Sequence, residues 1–308
     1  MEYDKFSIGT TDYSKNFWDK AMRGNDAPYE IIGKGKVNDN MFVLPTDSNC
    51  KYMDALQKES IFRSLATCVN APRSDNKLWT SDADEPAQWV PEGGHININE
   101  NADVFVRHTI MCNKLAMITR VDDDYVHDID FDVENYLINR LAKRFSKAEE
   151  NAFINGTGID MPTGILHETD GAEIGVTATA LTYDEIIKLF FSLKAEYRKN
   201  GIWLMSDDTA LALRTLKDAD GNYIWNQSND TILGKPVCIS EYMPNAESGN
   251  KAIAFGDFSY YWIVNRRPLA IRTLAEKYAL YHQTGYLAYE FLDGKLIRPE
   301  AIKVLKMK

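Results

Sequence analysis

The chain has 308 residues, room for about two domains of ~150 residues each and for a substantial core. Thirty-five Lys and Arg face forty-five Asp and Glu, a formal net charge of −10, so bulk charge does not hold this protein on nucleic acid, where binding runs on counterions released from phosphate. Hydrophobic residues at 44% and charged residues at 26% exclude global disorder, no run of ~18 apolar residues reads as a membrane span, and Met-Glu-Tyr-Asp-Lys is not the apolar core of a secretion signal.

Residues 1–40 scatter Phe6, Tyr13, Phe17 and Trp18 among polar and glycine positions with no sustained period. Such a segment is expected to pack on something else, either the rest of the chain or a neighbouring copy. Leu56, Ile61, Leu65 and Ala66 predict a short helix within 54–68. Over 77–121 the period becomes two, through Ile96–Asn99 and then Val104, Val106, Ile110 and Cys112, with a turn at Pro91-Glu-Gly-Gly94. That predicts a long two-stranded excursion, which is marginal alone in water and needs something against it. Val133, Leu137, Leu141, Phe145, Ala148 and Ala152 then form one helical stripe, with Asp130 as expected N-cap and Asn155-Gly156 as its stop. At 1.5 Å per residue this helix spans ~36 Å, the length of a strut.

Thr182-Tyr-Asp-Glu185 is a capping box, followed by Ile186, Leu189, Phe190, Leu193 and Tyr197 on one face up to Asn200-Gly201. Residues 202–205 read as a buried strand, and Ser206 as the cap of a helix to about Lys217. Short strands are expected at 236–240, 252–255, 260–264 and 270–273, with further alternation at 286–291 and 301–305. The fold class is therefore α+β with mostly antiparallel strands.

Motifs for chemistry are sparse. Gly156-Thr-Gly158 follows a helix and lacks a Lys-Ser/Thr tail, so it reads as a helix-terminating loop rather than a phosphate cradle. Asp128-x-Asp130-x-Asp132 has Val133 where a calcium loop needs glycine and Asn139 where it needs a bidentate Glu. The five histidines lack ligand spacing, and Cys50, Cys68, Cys112 and Cys238 lie far apart and read as reduced thiols. No catalytic, cofactor or metal residue is assigned. The arm, the excursion and the strut instead call for neighbours.

Several phrases together resemble the major capsid protein of tailed double-stranded-DNA phages, the Hong Kong 97-like fold. They are Ala87-Gln-Trp-Val90 with Glu92-Gly93 and Lys114-Leu-Ala116, then Asp132-Val-Glu-x-Tyr-Leu137 leading to Phe153-Ile-Asn-Gly-Thr-Gly158 and Pro162-x-Gly-Ile165. Further on come Trp203-Leu-Met205, Leu216-Lys-Asp218 with Gly221, Leu233-Gly-Lys-Pro-Val237, Met243-Pro244 and Phe255-Gly-Asp-Phe258 with Tyr261. Their order and spacing span residues 60–305. The resemblance implies an N-terminal arm over 1–50, an extended E-loop over 77–118, and an axial domain over 176–275. The peripheral domain would comprise 51–76, 119–175 and 276–308, with a spine helix over 130–155. It also implies hexamers and pentamers that tile an icosahedral shell, assembled in the host cytoplasm, around double-stranded DNA that is confined without sequence specificity. Scaffolding protein, maturation protease and portal are implied partners, and no membrane is. An encapsulin-type nanocompartment shell is the alternative with the same fold, and the long acidic hairpin favours the phage version.

Two departures from the family pattern carry expectations. No helical, charged scaffolding segment precedes the arm, so the sequence reads as a mature form, a trimmed one, or one served by a separate scaffold. The type member welds its shell through an E-loop lysine, whereas no lysine occurs between Lys77 and Lys114, so a non-covalent shell is expected.

Charge suggests how copies meet. Residues 81–103 carry Asp82, Asp84, Glu85, Glu92, Glu100 and Asp103 and no Lys or Arg, with Trp89 in their midst. The strut carries Arg140, Lys143, Arg144 and Lys147 at i, i+3, i+4 and i+7, one basic stripe. The expectation is that the hairpin of one subunit lies along the stripe of the next, where repetition gives register.

Overall fold

The computed structural model describes residues 8–25, 28–37, 41–71, 77–81, 89–93, 105–128, 130–217, 223, 225 and 230–308. Two fourteen-residue strands, Tyr261–Leu274 and Gln283–Leu296, pair antiparallel at the centre of the first sheet. Two short strands expected at 260–264 and 270–273 are thus one. Pro268 lies where the pairing register shifts between Arg267 and Ala270, so its missing N–H interrupts no ladder. Asn113–Asp122 flanks Gln283–Leu296 over ten paired positions. Met41–Val43 and Thr67–Asn70 flank Tyr261–Leu274, antiparallel and parallel respectively.

The second sheet runs in the order Glu173–Ala178, Ile302–Met307, Lys251–Gly256, Ile202–Met205, Lys235–Ile239 and Thr231–Ile232. The sheets are more mixed than expected: Lys235–Ile239 with Ile202–Met205 and Ile302–Met307 with Glu173–Ala178 are parallel pairs. Helices Tyr183–Ser192 and Asp207–Arg214 pack on this sheet, capped by Thr182 and Ser206 as anticipated. The predicted unbroken helix to Asn200 ends instead at Leu193, whose extended backbone starts a new turn, Ala195–Arg198, with Leu193 and Tyr197 both in the core.

Residues 11–21 are helical, contrary to their aperiodic appearance. Thr11–Asn16 is an α-helix and Phe17–Ala21 a π-turn, which buries Tyr13, Phe17, Trp18 and Met22 together. A π-turn carries more than 3.6 residues, so the spacing i, i+4, i+5, i+9 matches no ordinary helical stripe. Of the two alternatives for this segment, the structure takes the chain's own body. Tyr13 Oη donates to the Val43 carbonyl at 2.6 Å and Trp18 Nε1 to Ser48 Oγ at 2.9 Å. Arg23 donates to the carbonyls of Val126, Asp128 and Phe131. The helix expected within 54–68 is instead two: Thr46–Glu59, which begins earlier, and Ile61–Leu65, capped by Ser60, before a strand opens at Thr67.

The longest helix is Val133–Asn155, capped by Asp132, whose carboxylate accepts from the Asn135 N–H at 3.0 Å, and not by Asp130. Its buried stripe runs through Val133, Leu137, Leu141 and Phe145 and continues through Glu149 and Phe153. Ala148, placed on that stripe from sequence, is exposed and Ala152 half-buried, because the buried positions recur every four residues, ~40° past a full turn each time, so the covered face winds round the helix from the first core toward the junction of the two sheets. This helix, the N-terminal helices and one face of the first sheet enclose one core. A seam of Phe62, Phe153, Ile154, Ile165, Leu204, Tyr261 and Leu292 joins the two sheets.

Candidate assembly surfaces

Lys77–Ser81 and Phe105–Thr109 pair only with each other, from Lys77↔Thr109 to Ser81↔Phe105. This ribbon is the described part of the excursion expected over 77–121, whose last residues from Asn113 on belong instead to the first sheet, and it leaves Trp79, Phe105 and Val106 exposed. Inside it, Thr80 Oγ1 lies 2.9 Å from His108 Nε2. Burial and Lys295 hold the His108 ring below its ordinary pKa. The alternation at Ile96–Asn99 and the acids Asp82, Asp84, Glu85, Glu100 and Asp103 lie outside the described residues. Trp89 and Glu92 are exposed, Trp89 completely so.

The root of the ribbon is held by Asp293, in the middle of the long strand Gln283–Leu296. Its carboxylate accepts from Met111 N–H at 2.5 Å, Asn113 Nδ2 at 3.1 Å and Gly294 N–H at 2.8 Å. Burial pushes its pKa up to about 6, against the pull of those donors and of Lys295 and Arg266. Ile110 is buried beside it, so the chain turns from sheet to ribbon at a fixed point.

Arg140, Lys143, Arg144 and Lys147 all stand exposed on the outer face of the long helix. Arg140 lies 5.7 Å over the Tyr136 ring, and none of the four is ion-paired among the described residues. Beneath the same helix, Arg63 grips Glu149 with Nε and Nη2, both at 2.6 Å. Glu290 sits beside them, fully buried, with Tyr52 Oη donating to it at 3.2 Å. Burial and the neighbouring Glu149 hold its carboxyl well above the usual range. This group escaped sequence reasoning, although one signal was legible: Glu149 falls four residues after Phe145, on the apolar stripe.

Behind the basic stripe, the helix, the ribbon root and the loop after the helix enclose a groove of about 240 Å³. Leu115, Ala148, Ala152, Gly156, Met161 and Leu292 contribute to its walls. The loop is drawn tight by close backbone approach. A Cβ on Gly156 would stand 2.1 Å from the Pro162 carbonyl oxygen, and one on Gly164 2.5 Å from that of Ile154. Ile159 and Met161 at the loop tip are exposed, as are Phe191 and Leu280 elsewhere. The acids Asp128 and Asp132 are used locally, the first accepting from the Asp130 N–H and the second capping the helix.

Residues 40–307 match the model of the phage capsid family. The sequence is 25% identical to the probable major capsid protein gp17 of Mycobacterium phage D29, over 73% of each chain. Among solved structures, the capsid of a native GTA particle is 30% identical with a TM-score of 0.64, covering 80% of this chain and 89% of that one. A structure from Mycobacterium phage Adephagia, at 14% identity and a TM-score of 0.57 over 81% of this chain and 90% of that one, shares the fold.

Proposed function

The chain belongs to the phage capsid family, and from that premise we infer that it is the major capsid protein of a phage or phage-like particle, a structural subunit of the head and part of the virion. The observation that carries this is the family match over 40–307 combined with a ribbon that leaves large apolar side chains uncovered. Both the sequence relatives and the 30%-identical structure are capsid proteins, which favours a shell around packaged DNA over an encapsulin-type compartment.

Finer assignments extend this reading. The helix Val133–Asn155 is the spine helix, and its support is its length and its central place in the first core. The ribbon is the E-loop, 1–50 the arm, and 176–275 the axial domain, the range in which most strands of the second sheet fall. Hexamers and pentamers, a scaffolding protein, a maturation protease and a portal are the expected partners, with assembly in the host cytoplasm. Contact between subunits runs through Asp82, Asp84, Glu85, Trp89 and Glu92 of one copy and Arg140, Lys143, Arg144 and Lys147 of the next. Opposite net charge and the exposure of all four basic groups support it.

Negative-stain microscopy of the purified protein tests the reading. Closed shells or capsomers are expected, and a compact monomer at every concentration would contradict it. Assembled particles run on reducing denaturing gels should give one monomer band, since no lysine lies between Lys77 and Lys114. A ladder of linked subunits would refute the non-covalent shell.

A further inference from the structure

We propose that the groove at the ribbon root is a socket for Trp89 of a second copy of this chain, an inference that rests on the ribbon-on-stripe reading and adds to it where the ribbon ends. The groove continues the basic stripe along one helix: Lys147 is followed directly by Ala148, and Asn151, Ala152 and Asn155 carry the lining onward. Two alanines and a glycine on that face leave the space open, and Gly156 cannot take a side chain without moving the Pro162 backbone. A dry cavity of ~150 Å³ admits a benzene ring, so a groove of about 240 Å³ has room for an indole. Trp89 is a completely exposed large aromatic, and such a residue gains most from a partly apolar pocket with a polar rim for its N–H. Asn113, Asn151 and Asn155 provide that rim.

The occupant comes from another molecule. Within its own chain Trp89 is completely exposed, so it does not fill the chain's own groove. Charge sets the approach. The segment 81–103 carries six acids and no base, and the helix leading to the groove presents four exposed bases, Arg140, Lys143, Arg144 and Lys147. Two acids touch the groove itself: Glu149, neutralised by Arg63, and Asp160 at the rim.

The test is disulfide trapping in assembled particles, with exposed Cys50, Cys68 and Cys112 replaced by serine. Oxidised W89C/M161C particles should run as a ladder that reductant collapses. Linkage in W89C/R140C but not in W89C/M161C would overturn the socket while leaving the ribbon on the stripe. Linkage in neither would overturn both. As a second arm, A152W fills the groove from its own chain. It should retain the wild-type melting temperature and circular dichroism yet lose shells, and normal shells would overturn the proposal.

Discussion

Glu149 and Glu290 are two acids in one core with Arg63 as their cationic neighbour, and they divide the work unequally. Glu149 is the one ion-paired with Arg63. Burial beside Glu149 holds the Glu290 carboxyl well above the usual range. Removing the anion strands a buried guanidinium, so E149Q should lose about 3–5 kcal/mol in denaturant unfolding at pH 7. E290Q keeps the neutral form's shape and should lie within ~1 kcal/mol of wild type at about pH 4, below the acid's ordinary pKa. The pH dependence has a definite sign. Glu290 binds its proton more tightly folded than unfolded, so the native state is favoured below 4.5 and loses that advantage as pH rises. Unfolding free energies of E290Q should therefore be flatter above pH 4.5 than those of wild type. Asp293 follows the same rule between 3.8 and about 6. Because opening the root would solvate its carboxylate, base loosens the ribbon and acid fastens it. Hydrogen exchange at Met111, corrected for intrinsic rate, should speed up between pH 4 and 6.5 in wild type and stay level in D293N.

At the level of elements, the long helix depends on how it begins and how the chain leaves it. D132A removes the acceptor of the Asn135 N–H and should cost about 0.5–2 kcal/mol by thermal or chemical unfolding. After Asn155 the chain doubles back so closely that Ile165 N–H donates to Phe153 O and Leu166 N–H to Ile154 O. That return is possible only with hydrogen at Gly164, where a Cβ would stand 2.5 Å from both Ile154 O and Gly156 N. G164A should lower stability by more than the ~0.5 kcal/mol of an ordinary surface change. A melting temperature equal to wild type would show that the loop yields.

For the whole molecule, the proposed assembly contact sets the acidic segment 81–103 of one copy against the basic stripe of the next, repeated over the shell. Surface charges are screened beyond ~10 Å at 0.1 M salt, so the effect of reversing them depends on ionic strength. R140E/R144E should assemble less than wild type at low salt, with the gap narrowing at high salt, by light scattering. Equal assembly at both ionic strengths would remove charge from the account of how neighbours meet. Over residues 8–25, Tyr13, Phe17 and Trp18 are sunk in the molecule's own core.

The sequence by itself determined the local features whose signal is periodic or capped. The strut helix, the capped helices after Thr182 and Ser206, the paired ribbon and the order of family phrases were all legible, because a few neighbouring residues dictate each. Only the tertiary structure decided which face each element turns inward. A π-turn hid the arm's burial pattern, a register shift fused two strands across Pro268, and a covered face that winds around the long helix put Glu149 rather than Ala148 on the buried side. The Arg63–Glu149–Glu290 group and the Asp293 clamp on the ribbon root were beyond reach for the same reason. Their partners lie 86 and 182 residues apart in sequence, and only packing brings such groups within hydrogen-bonding distance.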